Sequence, residues 1–99
     1  MTILEYLSRI DELNEDAVIY ARRTDGLFHA HAEAVLLEVP EEHESLPTSE
    51  IAQLYCPGYD YFLEVFIIKE ILEGFAGQEP EADFDRQVAR IIYYAAYDA

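Results

Sequence analysis

Acidic side chains outnumber basic ones by 21 to 6 in a chain of 99 residues, a formal charge of −15 at pH 7, while 52% of the residues are apolar. Each fact limits what the other can mean. A polyanion short of apolar material stays unfolded, because it buries too little surface to offset chain entropy. Here eight Tyr, five Phe and dense Ile, Leu and Val runs supply a core, so the carboxylates must lie outside a folded unit. A surface of that sign repels nucleic acid and anionic lipid. It attracts basic partners and speeds their encounter at low salt. A high-salt habitat is the competing explanation, and Lys69 is indeed the only lysine. Against it, Glu (14) is twice as common as Asp (7), and large aromatic residues are abundant.

The length fits a single domain, residues 1–99, with one core. Cys56 is the only cysteine, so no internal disulfide can form and packing alone must hold the fold, as suits a reducing compartment. Glu5, Arg9, Asp11 and Glu12 interrupt the opening stretch, which argues against a secretory signal. No apolar run approaches the ~18 residues that span a bilayer. The expectation is a cytoplasmic protein with no membrane role.

Thr2-Ile3-Leu4-Glu5 has the form of a capping box. Apolar Ile3, Leu4, Tyr6, Leu7, Ile10 and Leu13 then recur at helical steps, with Glu5 four residues before Arg9, until Asn14-Glu15-Asp16 breaks the pattern. Residues 17–23 are rich in Val, Ile and Tyr, Thr24-Asp25-Gly26 supplies turn chemistry, and residues 27–39 resume an apolar pattern. This reads as a β-hairpin, although the alanines of the second arm also suit a helix. Residues 40–47, bounded by two prolines, read as a solvated loop, and residues 48–55 as a short helix capped by Thr48 or Ser49. Asp60 is a plausible cap for a helix over residues 61–73, apolar around most of its circumference and ended by Gly74 or Gly77. Pro80, Glu81, Asp83 and Asp85 suit the start of a last helix running to Tyr97. Its apolar stripe is Phe84, Val88, Ile91, Ile92, Ala95 and Ala96, with Arg86 and Arg90 on another face. The fold class is α+β: a hairpin or small antiparallel sheet packed on about three helices.

His29-Ala30-His31-Ala32-Glu33 is the sharpest local pattern. In a strand, His29, His31 and Glu33 project from one face about 7 Å apart stepwise, as metal ligands can. The same alternation also describes the wet face of a hairpin whose alanines turn inward. A further ligand, His43 or Cys56, cannot be placed beside them from sequence. Cys56 lacks an evident neighbouring base, so it reads as structural and not nucleophilic. Phosphate-binding loops and a serine elbow are absent, so neither ATP nor a dinucleotide is expected, and no cofactor is assigned.

Glu38, Glu41, Glu42 and Glu44 form one acidic cluster, and Glu79, Glu81, Asp83 and Asp85 a second. Solubility alone needs far fewer than fifteen net charges in so small a domain. Two such clusters suit the basic face of a protein partner, a toxin or a nucleic-acid-binding protein, and phosphate mimicry is one version of that fit. Tyr93, Tyr94 and Tyr97, with Tyr55, Tyr59 and Tyr61, offer the aromatic area enriched at interface centres. A two-stranded hairpin also leaves edges able to pair with a partner or a second copy, so a homodimer is a further option.

The opening Ile3-Leu4-Glu5-Tyr6-Leu7 segment leading to Ala17-Val18-Ile19-Tyr20-Ala21, and the ending Ile91-Ile92-Tyr93-Tyr94-Ala95-Ala96-Tyr97-Asp98-Ala99, resemble small acidic bacterial proteins of unknown function. Some of that group are immunity proteins encoded beside toxins. The resemblance lies in size, element order and acidity across most of the chain, and no functional residue is carried over from it. The acidic imbalance together with the missing catalytic constellation points to a non-enzymatic module that binds a basic protein surface stoichiometrically, with an immunity protein or inhibitor as the specific expectation. The other classes left open are a small metal-binding protein or metal-dependent enzyme using His29, His31 and Glu33, and a homo-oligomeric structural protein.

Overall fold

Thr2 closes the start of the first helix from both sides. In the computed structural model, which describes residues 1–79 and 81–97, the Glu5 N–H donates to the Thr2 hydroxyl at 3.1 Å and the Thr2 N–H donates to the Glu5 carboxylate at 3.0 Å. These contacts hold the Glu5 carboxyl below its ordinary range, the Thr2 amide contributing most. The next helical amides are satisfied from far away in sequence: Ile3 donates to the Ala32 carbonyl and Leu4 to that of Ala30, at 3.0 and 2.9 Å. The capping box belongs to the class of local contacts worth about 1 kcal/mol, so Thr2→Ala should lower stability by about that amount. The check is a shifted urea midpoint at unchanged slope.

Helix α1 is shorter than its periodicity predicts, covering Ile3–Ser8. A 3-10 turn at Ile10–Glu12 follows, and both Leu7 and Ile10 are buried. Tightening the chain there brings Ile10 into the core. It also removes the expected Glu5–Arg9 pair, since Arg9 meets Glu12 instead, at 3.9 Å.

Strand β1, Val18–Ala21, lies at the centre of a three-stranded antiparallel sheet of order β2-β1-β3, with β2 at Ala34–Leu37 and β3 at Asp60–Glu64. The turn predicted after β1 is present: Asp25 (φ 54°) and Gly26 (φ 78°) both adopt left-handed conformations between Thr24 and Leu27, which exchange two hydrogen bonds. Two consecutive positive φ values define the hairpin turn that Asp-Gly favours. The ladder does not continue from it, because Phe28 turns inward and packs edge-on against Phe62 at 5.0 Å. The second arm therefore begins at Ala34, and Leu27 to Glu33 is not strand.

The sheet buries both faces. Ile19, Ala21, Ala34, Phe62 and Leu63 join the larger core with residues of α1, α3 and α4. Tyr20 heads a smaller core with Ile51, Ala52 and Cys56, against which Val18, Val35, Leu37 and Tyr61 also pack. Strict alternation in β3 would put Tyr61 and Leu63 on one face. A bulge prevents it: Ile19 pairs with Leu63 and Tyr20 with Tyr61, leaving Phe62 as the extra residue. Phe62 and Leu63 thereby both reach the larger core, and Tyr61 meets Tyr20 edge-on at 6.0 Å.

Helix α2 covers Thr48–Tyr55, α3 Val65–Gln78 and α4 Phe84–Tyr97. Three sequence expectations are corrected here. Pro47 occupies the cap position of α2 with no side-chain hydrogen bond, so neither Thr48 nor Ser49 caps it. Asp60 opens β3 and does not cap a helix, and residues 61–64 are strand and not helix. Gly74 and Gly77 lie inside α3 without positive φ, and the helix runs on past both to Gln78. Asp83 does behave as a cap, its carboxylate accepting the Arg86 N–H at 2.9 Å. Pro80, Asp98 and Ala99 lie outside the described residues. The architecture is α+β, one compact domain whose radius of gyration of 13.3 Å matches the ~13 Å of a folded chain of this size.

Candidate protein-docking surface

Among the described residues no charged side chain is buried, and every Asp and Glu is exposed except Glu64, which is half-buried. The cations are engaged within the chain. Arg9 pairs with Glu12, Arg22 with Glu33 at 3.4 Å, Arg23 with Asp60 at 3.7 Å, Lys69 with Glu15 at 3.7 Å and Arg86 with Glu79 at 2.6 Å. Arg22 also lies over the Tyr59 ring, whose hydroxyl pushes the guanidinium pKa further up. Arg90 lies over Tyr93 at 5.8 Å. Exposed pairs of this kind contribute little stability. Their consequence is electrostatic: the few positive charges face carboxylates or rings of the same chain, and the outward field is left negative.

The two acidic clusters differ in how far they are used internally. Glu79 ends α3 and is paired with Arg86, and Asp83 caps α4. Glu81 is exposed in the connection and Asp85 in the first turn of α4. In the other cluster Glu38 follows β2 and accepts a hydrogen bond from the Asn14 side chain at 2.8 Å. Glu41 and Glu42 lie on a second 3-10 turn, Glu41–His43, with Glu44 next to it. Among the described residues Glu41, Glu42 and Glu44 have no ion-pair partner, and no hydrogen bond or ion pair joins the two clusters. Residues 38–44 are thus the less neutralised surface.

The structure adds a contact that spacing alone does not reveal. His43 and Tyr55 share a hydrogen bond of 2.6 Å between Nδ1 and the phenol, tying the acidic segment to the end of α2. Tyr55 is 41% exposed, so aromatic area flanks the carboxylates, and Leu54, its neighbour in α2, is 60% exposed. Twelve residues separate His43 from Tyr55, and nothing local signals their pairing. Tyr93 and Tyr97 are exposed on α4 with ring centroids 4.7 Å apart. Tyr94, by contrast, is half-buried and packs on the larger core.

The metal pattern loses its geometric premise. Residues 29–32 form turn and loop and Glu33 only an isolated bridge, so His29, His31 and Glu33, all exposed, do not stand in a row on a strand face, and Glu33 is paired with Arg22. Among the described residues no three His, Cys, Asp or Glu side chains gather in a way that could hold a metal ion. Cys56 is buried beneath α2, and burial pushes its thiol pKa up, the opposite of what activates a nucleophile. A groove of about 630 Å³ between α1, α3 and α4 has Leu7, Ile10, Leu72 and Phe84 on its walls. Its Lys69 donates to the Leu13 carbonyl at 3.3 Å and pairs with Glu15.

Comparison with protein-family models, with curated proteins and with solved structures finds no match to this chain. Among the described residues no helix is long and apolar enough to cross a membrane.

Proposed function

We propose that the protein is a non-enzymatic, cytoplasmic binding module that docks stoichiometrically on a basic protein surface, with toxin immunity or inhibition as its use. The observation that carries this reading is the one-sided charge. Nearly every described carboxylate is exposed, whereas the few cations are occupied by partners within the chain. Residues 38–44, with Tyr55 beside them, combine the two ingredients of such a surface. The acids steer encounter, and the flanking apolar area supplies the desolvated contact that holds the complex. Tyr93 and Tyr97 offer a second aromatic patch on α4.

Titration calorimetry against purified basic nucleases of isoelectric point above about 9 tests the reading. Affinity for a true partner should fall at least about tenfold between roughly 0.05 and 0.5 M salt, as the charges are screened. The triple change Glu41→Gln, Glu42→Gln, Glu44→Gln should weaken association mainly through the on-rate. Affinity that is independent of salt and indifferent to these substitutions would overturn the mechanism.

A further inference from the structure

β2 is an edge strand, and the register states which of its backbone groups face outward. The Arg22 N–H donates to the Glu33 carbonyl at 2.9 Å, so the pair one step before β2 is hydrogen-bonded. Alternation along an antiparallel ladder then makes Tyr20–Val35 and Val18–Leu37 hydrogen-bonded pairs as well. Ala34, Leu36 and the following Glu38 consequently turn their N–H and C=O groups away from β1. Two observations agree with this parity. The Ala34 N–H donates outward to the Met1 carbonyl at 2.6 Å, and on the other side of the sheet Ala17, of the opposite parity, accepts from Val65 at 2.9 Å.

The chain therefore begins a fourth strand on this edge and abandons it. Thr2 forms an isolated antiparallel bridge with Glu33, and at Ile3 the capping box diverts the chain into α1. Among the described residues, the outward groups of Leu36 and Glu38 have no backbone partner beyond that point. Unpaired edges of this kind are templates for another extended chain.

Charge decides what that chain is. The open part of the edge runs directly into Glu38, Glu41, Glu42 and Glu44, all exposed. A second copy brings a further −15 and is repelled. We propose that the outer edge of β2 takes up an extended, Lys- or Arg-rich segment of a protein partner as an added strand. The Leu36 and Glu38 backbone would supply the pairing and residues 38–44 the charge complement. This rests on the basic-partner reading above and names the partner's conformation: main-chain bonds give register, and basic side chains select it.

The probe is a peptide of alternating Lys and Val, acetylated and amidated, beside the same peptide N-methylated on alternate residues so that one edge cannot donate. On the unmodified protein at low salt, the unmethylated peptide should slow exchange of the Leu36 and Glu38 amides in NMR spectra. It should also bind about tenfold more tightly than the methylated one. Leu36→Pro removes an outward N–H that the β1 ladder does not use, as an edge strand tolerates, and should bring both peptides to the weaker affinity. Should that variant fail to fold, the methylation comparison on the unmodified chain decides. Equal binding of the two peptides with unchanged amide exchange would overturn strand addition while leaving charge-driven docking intact. Failure of either peptide to bind at low salt, together with salt-independent binding of basic proteins, would sink both. Protection of the Leu36 amide that grows with protein concentration alone would assign the edge to a second copy instead.

Discussion

Phe62→Ala should lower the free energy of unfolding by about 3–5 kcal/mol, while Phe66→Ala changes it by less than about 1 kcal/mol. Read as one helix from residue 61 onward, the two phenylalanines stand four apart on one face and their truncations cost alike. The structure separates them. Phe62 is the extra residue of the β3 bulge, fully buried and edge-on to Phe28, whereas Phe66 lies in the first turn of α3 and is 41% exposed. Removing the Phe62 ring opens a cavity under the sheet and strips Phe28 of its neighbour. In a domain whose whole stability is of order 5–15 kcal/mol, such a loss moves the melting temperature by roughly 15–30 °C. Thermal and urea unfolding of the two variants side by side measures it. Equal losses would restore the helical reading of residues 61–64.

Alkaline pH should destabilise the protein through Tyr20. Its ring is 1% exposed in the smaller core, and burial first, then the neighbouring Cys56, Tyr61 and Glu64, raises its pKa from 10.0 to about 12. A folded-state pKa above the unfolded one means that the native state holds the proton more tightly. The contribution is complete below the unfolded value of 10.0 and is lost as pH rises through about 12. At about 1.4 kcal/mol per unit, the loss is at most about 2–3 kcal/mol. Burial raises the Tyr61 pKa in the same direction, which adds to the slope. Tyr20→Phe keeps the ring and should flatten most of the decline between about pH 10 and 12, leaving neutral-pH stability nearly unchanged. Urea midpoints measured across that window check it, and a slope unaltered in Tyr20→Phe would place the titrating group elsewhere.

How much of this fold is legible depends on whether the signal is local. Helix α2 is bounded on both sides by chain breakers, Pro47 before it and Cys56-Pro57-Gly58 after, and its residues match the expected range. The Thr2 box, the Asp25-Gly26 turn and the Asp83 cap are likewise short-range devices, and each forms as its residues imply. β3 is different. Tyr61, Phe62, Leu63, Val65 and Phe66 are apolar in every direction, and periodicity cannot separate a buried strand from a buried helix in so short a run. What decides it is β1, whose Ala17, Ile19 and Ala21 backbone groups face away from β2 and need a partner. The alternation of His29, His31 and Glu33 imitates a strand for a similar reason. Burial of Phe28 and the Ala30 and Ala32 carbonyls, which accept from the first amides of α1, fold that stretch into a loop.

The candidate surface divides along the same line. Composition places the negative charge outside, because burying so many carboxylates without partners costs more than the core returns. Which acids remain unneutralised is a matter of three-dimensional neighbours. Glu79 and Asp83 are taken up by Arg86, Tyr94 folds against the core, and His43 meets Tyr55 from another element.

Residue types and short spacings by themselves determined an α+β globule with an acidic exterior, the Thr2 capping box, the Asp83 cap and the Asp25-Gly26 turn, since each rests on neighbours a few positions away. The third strand, the bulge that turns Phe62 inward, the loop at residues 29–33 and the open edge of β2 were decided only in the folded chain. There, unpaired backbone groups and large side chains had to find partners far off in sequence.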